Sequence, residues 1–202
     1  MALHQAGDAD DRNFVGASFA LMFLSRGRQP VWITKLISSN SNVNWNNRPN
    51  DIQFLTSYLS DLREQQLNWQ AVSLEGAAYR LTQSPIAFLT SDQSIELSPI
   101  EQANLKKYLD LGGLLVACPE NSSQDFKRSI RKLVKQMYPH RTMEQVSKEH
   151  PLRTIHFPLK EIRTGVVWTL NNGLRDLILM PENDWGLTFQ SRQSFKPGSD
   201  WE

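Results

Sequence analysis

The segment from Ser98 to Asn121 predicts a helix that leads directly into a buried strand. Its first residue suits the N-cap, Pro99 suits the first helical position, and Glu101 follows the cap at the capping-box spacing. A Gly-Gly pair then ends the helix, and the run from Leu114 to Ala117 is apolar at every position. Consecutive apolar residues are typical of a strand that is covered on both faces. The segment therefore indicates a parallel α/β sheet.

The rest of the chain continues this alternation of strands and helices. Helices are predicted after Asn50 or Asp51 and after Ser122 or Ser123, where apolar residues recur every three to four positions. Further strands are predicted at Val31 to Ile37, Asn68 to Leu74, Pro85 to Thr90, Val166 to Leu170 and Leu177 to Met180. The Asn-Asn-Gly turn between the last two indicates a hairpin. We predict a three-layer α/β sandwich with a mainly parallel sheet.

Two regions of the chain are predicted to differ in origin. Residues 1–28 form an N-terminal extension whose apolar helix, Phe14 to Leu24, is interpreted as the remnant of a preceding domain. Residues 29–202 form the α/β domain. Because the closing KPGSDWE segment has neither a helix stop nor a strand pattern, we expect this domain to be truncated at its C-terminus and the chain to be part of a longer polypeptide.

Charge and hydropathy argue against nucleic-acid binding and membrane insertion. With 22 Lys and Arg against 21 Asp and Glu, the net charge of +1 gives no field that attracts a polyanion. The basic stretch Lys127 to Lys135 is interpreted as the solvated face of a helix, since no aromatic residues alternate with its charges. The segment Phe14 to Leu24 is shorter than the roughly 20 residues that a bilayer crossing needs.

The sequence contains no motif for a metal or a cofactor. Its single cysteine, Cys118, excludes an internal disulfide and a cysteine-only zinc site. The histidines lack ligand spacing of the H-E-x-x-H kind, and neither GxGxxG nor GxxxxGK[ST] occurs. We therefore expect no bound metal and no cofactor.

Polar residues follow the predicted parallel strands where these end. The Asn-rich loop after the first strand contains Trp45 and Arg48, Asp92 follows the third strand, and Glu120 and Asn121 follow the fourth. Since the carboxyl ends of parallel strands share one edge of a sheet, these residues are predicted to line a ligand-binding surface. Ring stacking and amide hydrogen bonds suit a carbohydrate or a protein partner. Alternatively, Trp45 folds over the sheet and the asparagines form turns.

Several segments, taken in order, resemble a bacterial family of domains of unknown function, number 4159. The resemblance is carried by GASFALMFLSRGRQPVWITKL, by WNNRPND before a helix, by LNWQAV, by Leu109 to Cys118, by the Phe126 to Pro139 helix and by EHPL at Glu149 to Leu152. It implies a glutamine amidotransferase-like, flavodoxin-like fold. In larger envelope-associated proteins, this domain follows a toroid of terpenoid-cyclase-like repeats. Phe14 to Arg28 would then be the tail of that toroid or its junction with the α/β sandwich.

The resemblance raises the question of whether amidotransferase-type chemistry remains. Such chemistry would use Cys118 as the nucleophile, His150 as the base and Glu149 as the group that orients it. A nucleophile elbow needs small neighbours and a backbone N–H after the nucleophile, but Pro119 has no N–H and Glu120 stands where glycine is usual. We therefore expect Cys118 to be structural.

Taken together, the sequence predicts a non-catalytic binding or interaction module. It would belong to a larger bacterial protein of the periplasm or envelope, and its partners would be a protein, a carbohydrate or the adjacent domains of the same polypeptide. The alternative is a diverged cysteine hydrolase or amidotransferase-like enzyme that uses Cys118 and His150.

Overall fold

The structure is a computed structural model that describes residues 14–22, 30–39, 44–76, 78–154 and 165–191. It divides into two units, Met1–Pro30 and Val31–Glu202. In the first unit, residues 14–22 form helix α1. The domain boundary predicted between residues 28 and 29 and the predicted C-terminal truncation lie outside the described residues, so both stay predictions.

The second unit alternates strands and helices in chain order. Its strands are β1 (Val31–Ile37), β2 (Asn68–Ser73), β3 (Ile86–Ser91), β4 (Leu114–Pro119), β5 (Glu144–Gln145), β6 (Val167–Asn171) and β7 (Asp176–Pro181). Its helices are α2 (Asp51–Arg63), α3 (Pro99–Asp110), α4 (Gln124–Met137), α5 (Pro151–Thr154) and α6 (Trp185–Gln190). Two short 3₁₀ helices span Ala78–Gln83 and Glu120–Ser122.

The described strands form one sheet in the order β2-β1-β3-β4-β7-β6-β5. All pairings from β2 to β7 are parallel, whereas β6 runs antiparallel to both of its neighbours. The predicted mainly parallel α/β sheet is therefore confirmed. Because β1, β3, β4 and β7 point in the same direction, their carboxyl ends share one edge of the sheet.

Helices cover both faces of the sheet. Successive side chains of β4 alternate between them: Leu115 and Ala117 join the larger apolar core with α3 and α4, while Val116 and Cys118 pack on the side of α2 and α6. This alternation explains why the apolar run of β4 is continuous, since each face of the strand meets a helix layer.

The Ser98 segment folds as its residues predict. Ser98 Oγ accepts a hydrogen bond from the backbone N–H of Glu101 at 3.3 Å, and the Glu101 carboxylate accepts one from the N–H of Ser98 at 2.8 Å. This carboxylate also accepts a bond from the N–H of Ser39 at 2.7 Å, just after β1. The capping box is therefore confirmed, and it also joins α3 to the end of a strand.

Three elements differ from the prediction. The sequence predicts neither the two-residue strand β5 nor the short helices α5 and α6. A two-residue strand shows no alternation in sequence, and a helix of one or two turns has too few apolar positions to reveal a period. The N-terminus of helix α6 is nevertheless capped, since the side chain of Asp184 accepts a hydrogen bond from the N–H of Leu187 at 2.8 Å.

Candidate functional site

Polar side chains converge at the carboxyl ends of β1, β3, β4 and β7. We call this group the rim and define it by residues Lys35, Asn47, Arg48, Asp51, Thr90, Glu120, Asn121 and Asp184. Its members come from two strands, the loop after β1, the 3₁₀ turn after β4 and the starts of α2 and α6, so they meet only in the folded chain.

A buried ion pair lies at the base of the rim. Lys35 and Asp51 are each 1% exposed, and Lys35 Nζ lies 2.8 Å from Asp51 Oδ1. The same ammonium donates to the carbonyl of Arg48 at 2.8 Å and to Asn46 Oδ1 at 3.3 Å, which uses all three of its protons. Burial raises the pKa of Asp51 although Lys35 acts in the opposite direction. Removing either partner would therefore leave an unpaired buried charge and destabilise the folded state.

A second ion pair ties three loops together at the surface of the rim. Arg48 Nη2 lies 2.6 Å from Asp184 Oδ2 and donates to Asn121 Oδ1 at 3.1 Å. The backbone N–H of Asn121 donates to the same Asp184 oxygen at 2.8 Å. These bonds hold the loop after β1, the turn after β4 and the start of α6 in one arrangement.

The turn between β4 and α4 is conformationally strained. Asn121 and Ser122 are consecutive residues with positive φ angles of 50° and 57°. Residues that carry a β-carbon are disfavoured there, and such strain persists only where the surroundings hold it. The bonds from Arg48 and Asp184 supply that restraint.

Glu120 directly follows β4, and its side chain is buried at 1% exposure. Its Oε2 accepts a hydrogen bond from Asn47 Nδ2 at 2.7 Å, and its Oε1 accepts one from Thr90 Oγ1 at 3.1 Å. Burial raises the pKa of Glu120 against the effect of these bonds, and the charge of Asp92 adds to the increase. The carboxylate therefore carries its negative charge at a cost at neutral pH.

This raised pKa predicts how Glu120→Gln changes stability with pH. A carboxyl group whose pKa is higher in the folded state makes the free energy of unfolding fall as pH rises from about 4, the value in the unfolded chain. Glutamine is neutral throughout. Its oxygen can accept from Asn47 Nδ2, and its Nε2 can donate to Thr90 Oγ1, whose own proton can then bond to the carbonyl of Cys118. We expect the variant to match the wild type near pH 4 and to be the more stable protein at pH 7.

Urea unfolding of both proteins at pH 4, 5, 6 and 7 measures this difference. Other titrating groups cancel in the comparison because both proteins contain them. A stability difference that stays constant from pH 4 to pH 7 would contradict the assignment.

Trp45 and Asp92 lie beside the rim. The half-buried Trp45 ring has its centroid 5.9 Å from the ammonium of Lys35, so it lies near the buried ion pair. Asp92 is exposed and follows β3, close enough for its charge to act on Glu120. Of the predicted ligand-contacting residues, the structure joins Arg48 directly to Asn121 and places the other three around the same edge.

The Cys118 side chain is fully buried between the sheet and helices α2 and α6. It has no exposed surface, and burial raises the pKa of its thiol to about 12, although the backbone N–H of Gly186 bonds to the sulfur. The thiolate form required of a nucleophile is therefore almost absent at neutral pH.

The structure places His150 far from Cys118. The His150 Nε2 atom is 3.3 Å from Asp176 Oδ2, and its Nδ1 atom accepts a hydrogen bond from the N–H of Leu152 at 3.2 Å. Asp176 begins β7, whereas the β4–β7 register sets Cys118 level with Pro181. Five residues of strand separate these levels by about 16 Å.

The predicted cysteine site is therefore not assembled. Both imidazole nitrogens of His150 already have partners at the opposite edge of the sheet, and Glu149 lies in an exposed turn beside it. Among the residues that the structure describes, no group of three or more His, Cys, Asp or Glu side chains is placed to hold a metal ion. None of the helices in this part of the chain combines the length and apolar character of a bilayer crossing.

Sequence reasoning missed three charged members of the rim. Lys35 was assigned only to a strand, Asp51 only to a helix start, and Asp184 to no site. A lysine inside the strand sequence VWITKLI was the one usable signal, because a charge at such a position needs a buried partner. Nothing in the sequence identified that partner as Asp51.

A family model described as a domain of unknown function, DUF4159, matches residues 32–196. No curated protein matches the chain. Apart from Val31, the first residue of β1, the matched segment contains every element from β1 to α6 and every residue of the rim. Since it covers most of the 202 residues, the chain belongs to the DUF4159 family.

Proposed function

We propose that this domain is a non-catalytic binding module and that its ligand contacts the rim. The observation that carries the proposal is the Arg48–Asp184–Asn121 arrangement, which holds a strained surface turn in place. Strain of this kind is concentrated at ligand-binding and catalytic sites. Asparagine tolerates a positive φ, but serine seldom adopts one, so Ser122 is the residue at which the strain is concentrated.

The position of the rim supports the same proposal. The strand order β2-β1-β3-β4-β7 is the order of a flavodoxin-like doubly wound sheet, in which chain order reverses between β1 and β3. Ligands of such sheets bind outside the carboxyl ends of the strands at that point. Lys35 lies on β1 and Thr90 on β3, so the rim surrounds the reversal. On this basis we propose a flavodoxin-like fold of the glutamine amidotransferase type.

Charge balance suggests the class of ligand. Lys35 pairs with Asp51 and Arg48 pairs with Asp184, so the charges of both rim cations are balanced. The groups that remain for recognition are the carboxylates of Glu120 and Asp92, the asparagine side chains and the Trp45 ring. Amides and an aromatic ring suit a neutral ligand such as a carbohydrate or a peptide segment. We place this module in a larger envelope-associated bacterial protein, preceded by a toroid domain.

Binding is tested by adding soluble oligosaccharides and unstructured peptides to the ¹⁵N-labelled protein and recording amide spectra. Shifts confined to the rim support the proposal. The Asn121→Gly variant removes the side-chain amide but keeps the backbone N–H that donates a hydrogen bond to Asp184. Glycine also adopts the positive φ of this position easily, so the variant should fold. It should bind the ligand about tenfold more weakly than the wild type.

A matched control is Asn172→Ala, which removes an amide at the opposite edge of the sheet. It should bind like the wild type. Shifts that map away from the rim, or equal loss of affinity in both variants, would exclude the rim as the binding surface.

The non-catalytic part of the proposal makes a prediction for Cys118. Because the thiol is buried and its pKa is raised to about 12, iodoacetamide at pH 7.5 should not modify the folded protein over hours. In 6 M guanidinium chloride, where the thiol is exposed, alkylation should be complete within minutes. Mass spectrometry of both samples gives the answer, and stoichiometric labelling of the folded protein would revive the cysteine hydrolase alternative.

A further inference from the structure

Helix α4 presents an excess of positive charge on its outer side. Its inner side is apolar and buried, with Phe126, Ile130, Leu133, Val134 and Met137 in the core. The outer side carries Arg128, Arg131, Lys132 and Lys135, which span eight residues or about 10 Å of helix. Lys127, the fifth basic residue of the stretch, is 1% exposed and pairs with Glu182, so it belongs to the interior.

Only part of this charge is neutralised within the domain. Arg128 pairs with Asp125, and Lys132 lies 3.4 Å from Glu96. All four of these side chains are more than 60% exposed, so both pairs are weak and readily exchanged for others. No ion pair within the described residues involves Lys135. Four cations therefore face Asp125 and Glu96, while Glu182, whose pKa is lowered by Lys127 and also by the charge of Arg131, already pairs with Lys127.

The outer side of α4 also has a shape suited to an extended ligand. A depression of about 450 Å³ is lined by Arg128, Arg131, Lys132, Lys135 and Gln136. A second depression, of about 180 Å³, is lined by Ser94, Ile95, Glu96, Asp125, Arg128, Ser129 and Lys132. The two depressions adjoin at Arg128 and Lys132, which line both, and we call them together the track. The aliphatic stems of Lys and Arg give this track apolar sides.

We propose that the track on α4 is an interaction surface for an acidic, extended segment of a partner protein. Separated carboxylates along such a segment can pair with Lys135 and with the cations that Asp125 and Glu96 hold weakly. A nucleic acid fits less well, because its phosphates form an unbroken line that would approach both of those carboxylates. The ring of Trp168 is already covered by the Arg131 guanidinium, 5.1 Å from its centroid, and offers no free face there for a base.

The surface is independent of the rim, so each proposal can fail without the other. The test uses the full chain and a fluorescein-labelled 16-residue peptide of alternating Glu and Ser, followed by fluorescence anisotropy. We expect binding at 50 mM NaCl that weakens at least tenfold at 300 mM NaCl, since the contacts are exposed charges. Lys132→Glu with Lys135→Glu should reduce affinity at least tenfold and leaves Arg131 in place over Trp168.

The matched control changes the same amount of charge elsewhere. Arg80→Glu with Lys107→Glu alters two exposed residues outside α4 and outside the lining of either depression, and it should bind the peptide much more tightly than the α4 variant does. Equal loss of affinity in both double variants would overturn the proposal, because net charge alone would then explain binding. Tighter binding of a 16-nucleotide DNA duplex than of the peptide at the same salt concentration would also overturn it, in favour of nucleic acid.

Discussion

Replacing Lys35 by methionine is expected to lower the free energy of unfolding by about 3–5 kcal/mol at pH 7. The substitution leaves Asp51 at 1% exposure with no cation beside it, and one of its oxygens, Oδ2, already lacks a hydrogen-bond partner. Methionine fills the space of the lysine stem, so the loss comes from charge rather than from a cavity. Urea unfolding at pH 7 measures the change.

The pH dependence of this variant separates charge from packing. Without Lys35, the folded-state pKa of Asp51 should rise well above its value in the unfolded chain. Destabilisation should therefore be smaller near pH 4, where the carboxyl is protonated in the folded variant and about half protonated in the unfolded chain, and should grow as pH rises. The double variant with Asp51→Asn removes both charges and should recover most of the lost stability. A loss that is the same at pH 4 and pH 7 would identify packing as the cause.

Local signals in the sequence accounted for most of the fold. The capping box at Ser98 and the apolar run of β4 are formed by neighbouring residues, and the structure reproduces both. The strand predicted at Val31 to Ile37 has the same bounds in the structure. By contrast, β5 depends on pairing with β6, so its two residues carry no pattern of their own.

The rim was predictable only in part, because its geometry is set by contacts across the chain. The rule that carboxyl ends of parallel strands share an edge was enough to place Glu120 and Asn121 near Arg48. It gave no way to see that Asp184, 136 residues after Arg48, closes that arrangement. The same rule also placed Cys118 near the edge, whereas strand alternation turns its side chain into the core beneath α2 and α6.

The second large effect is expected at the other end of β4, where a glycine meets a tyrosine. A β-carbon added at Gly113 would lie 2.2 Å from the ring of Tyr108, which is 1% exposed and donates from its hydroxyl to the carbonyl of Ser84 at 3.2 Å. The ring cannot move aside without breaking that bond or disturbing the core. We expect Gly113→Ala to lower the free energy of unfolding by about 3 kcal/mol, at the upper end of the usual cost of overpacking.

A control at Gly173 separates this steric cost from backbone strain. Gly173 has a φ of +95° and no atom within 4 Å of an added β-carbon, so Gly173→Ala should lower the free energy of unfolding by only about 1 kcal/mol. This cost should be the same whether residue 108 is tyrosine or leucine. The cost at Gly113 should instead shrink when Tyr108 is first replaced by leucine, because the clashing ring is gone. Thermal or urea unfolding of the four combinations measures this coupling. Since Gly113 joins α3 to β4, a strong coupling would show that close contact between this glycine and the tyrosine ring fixes how the helix enters the sheet, and additive costs would show that it does not.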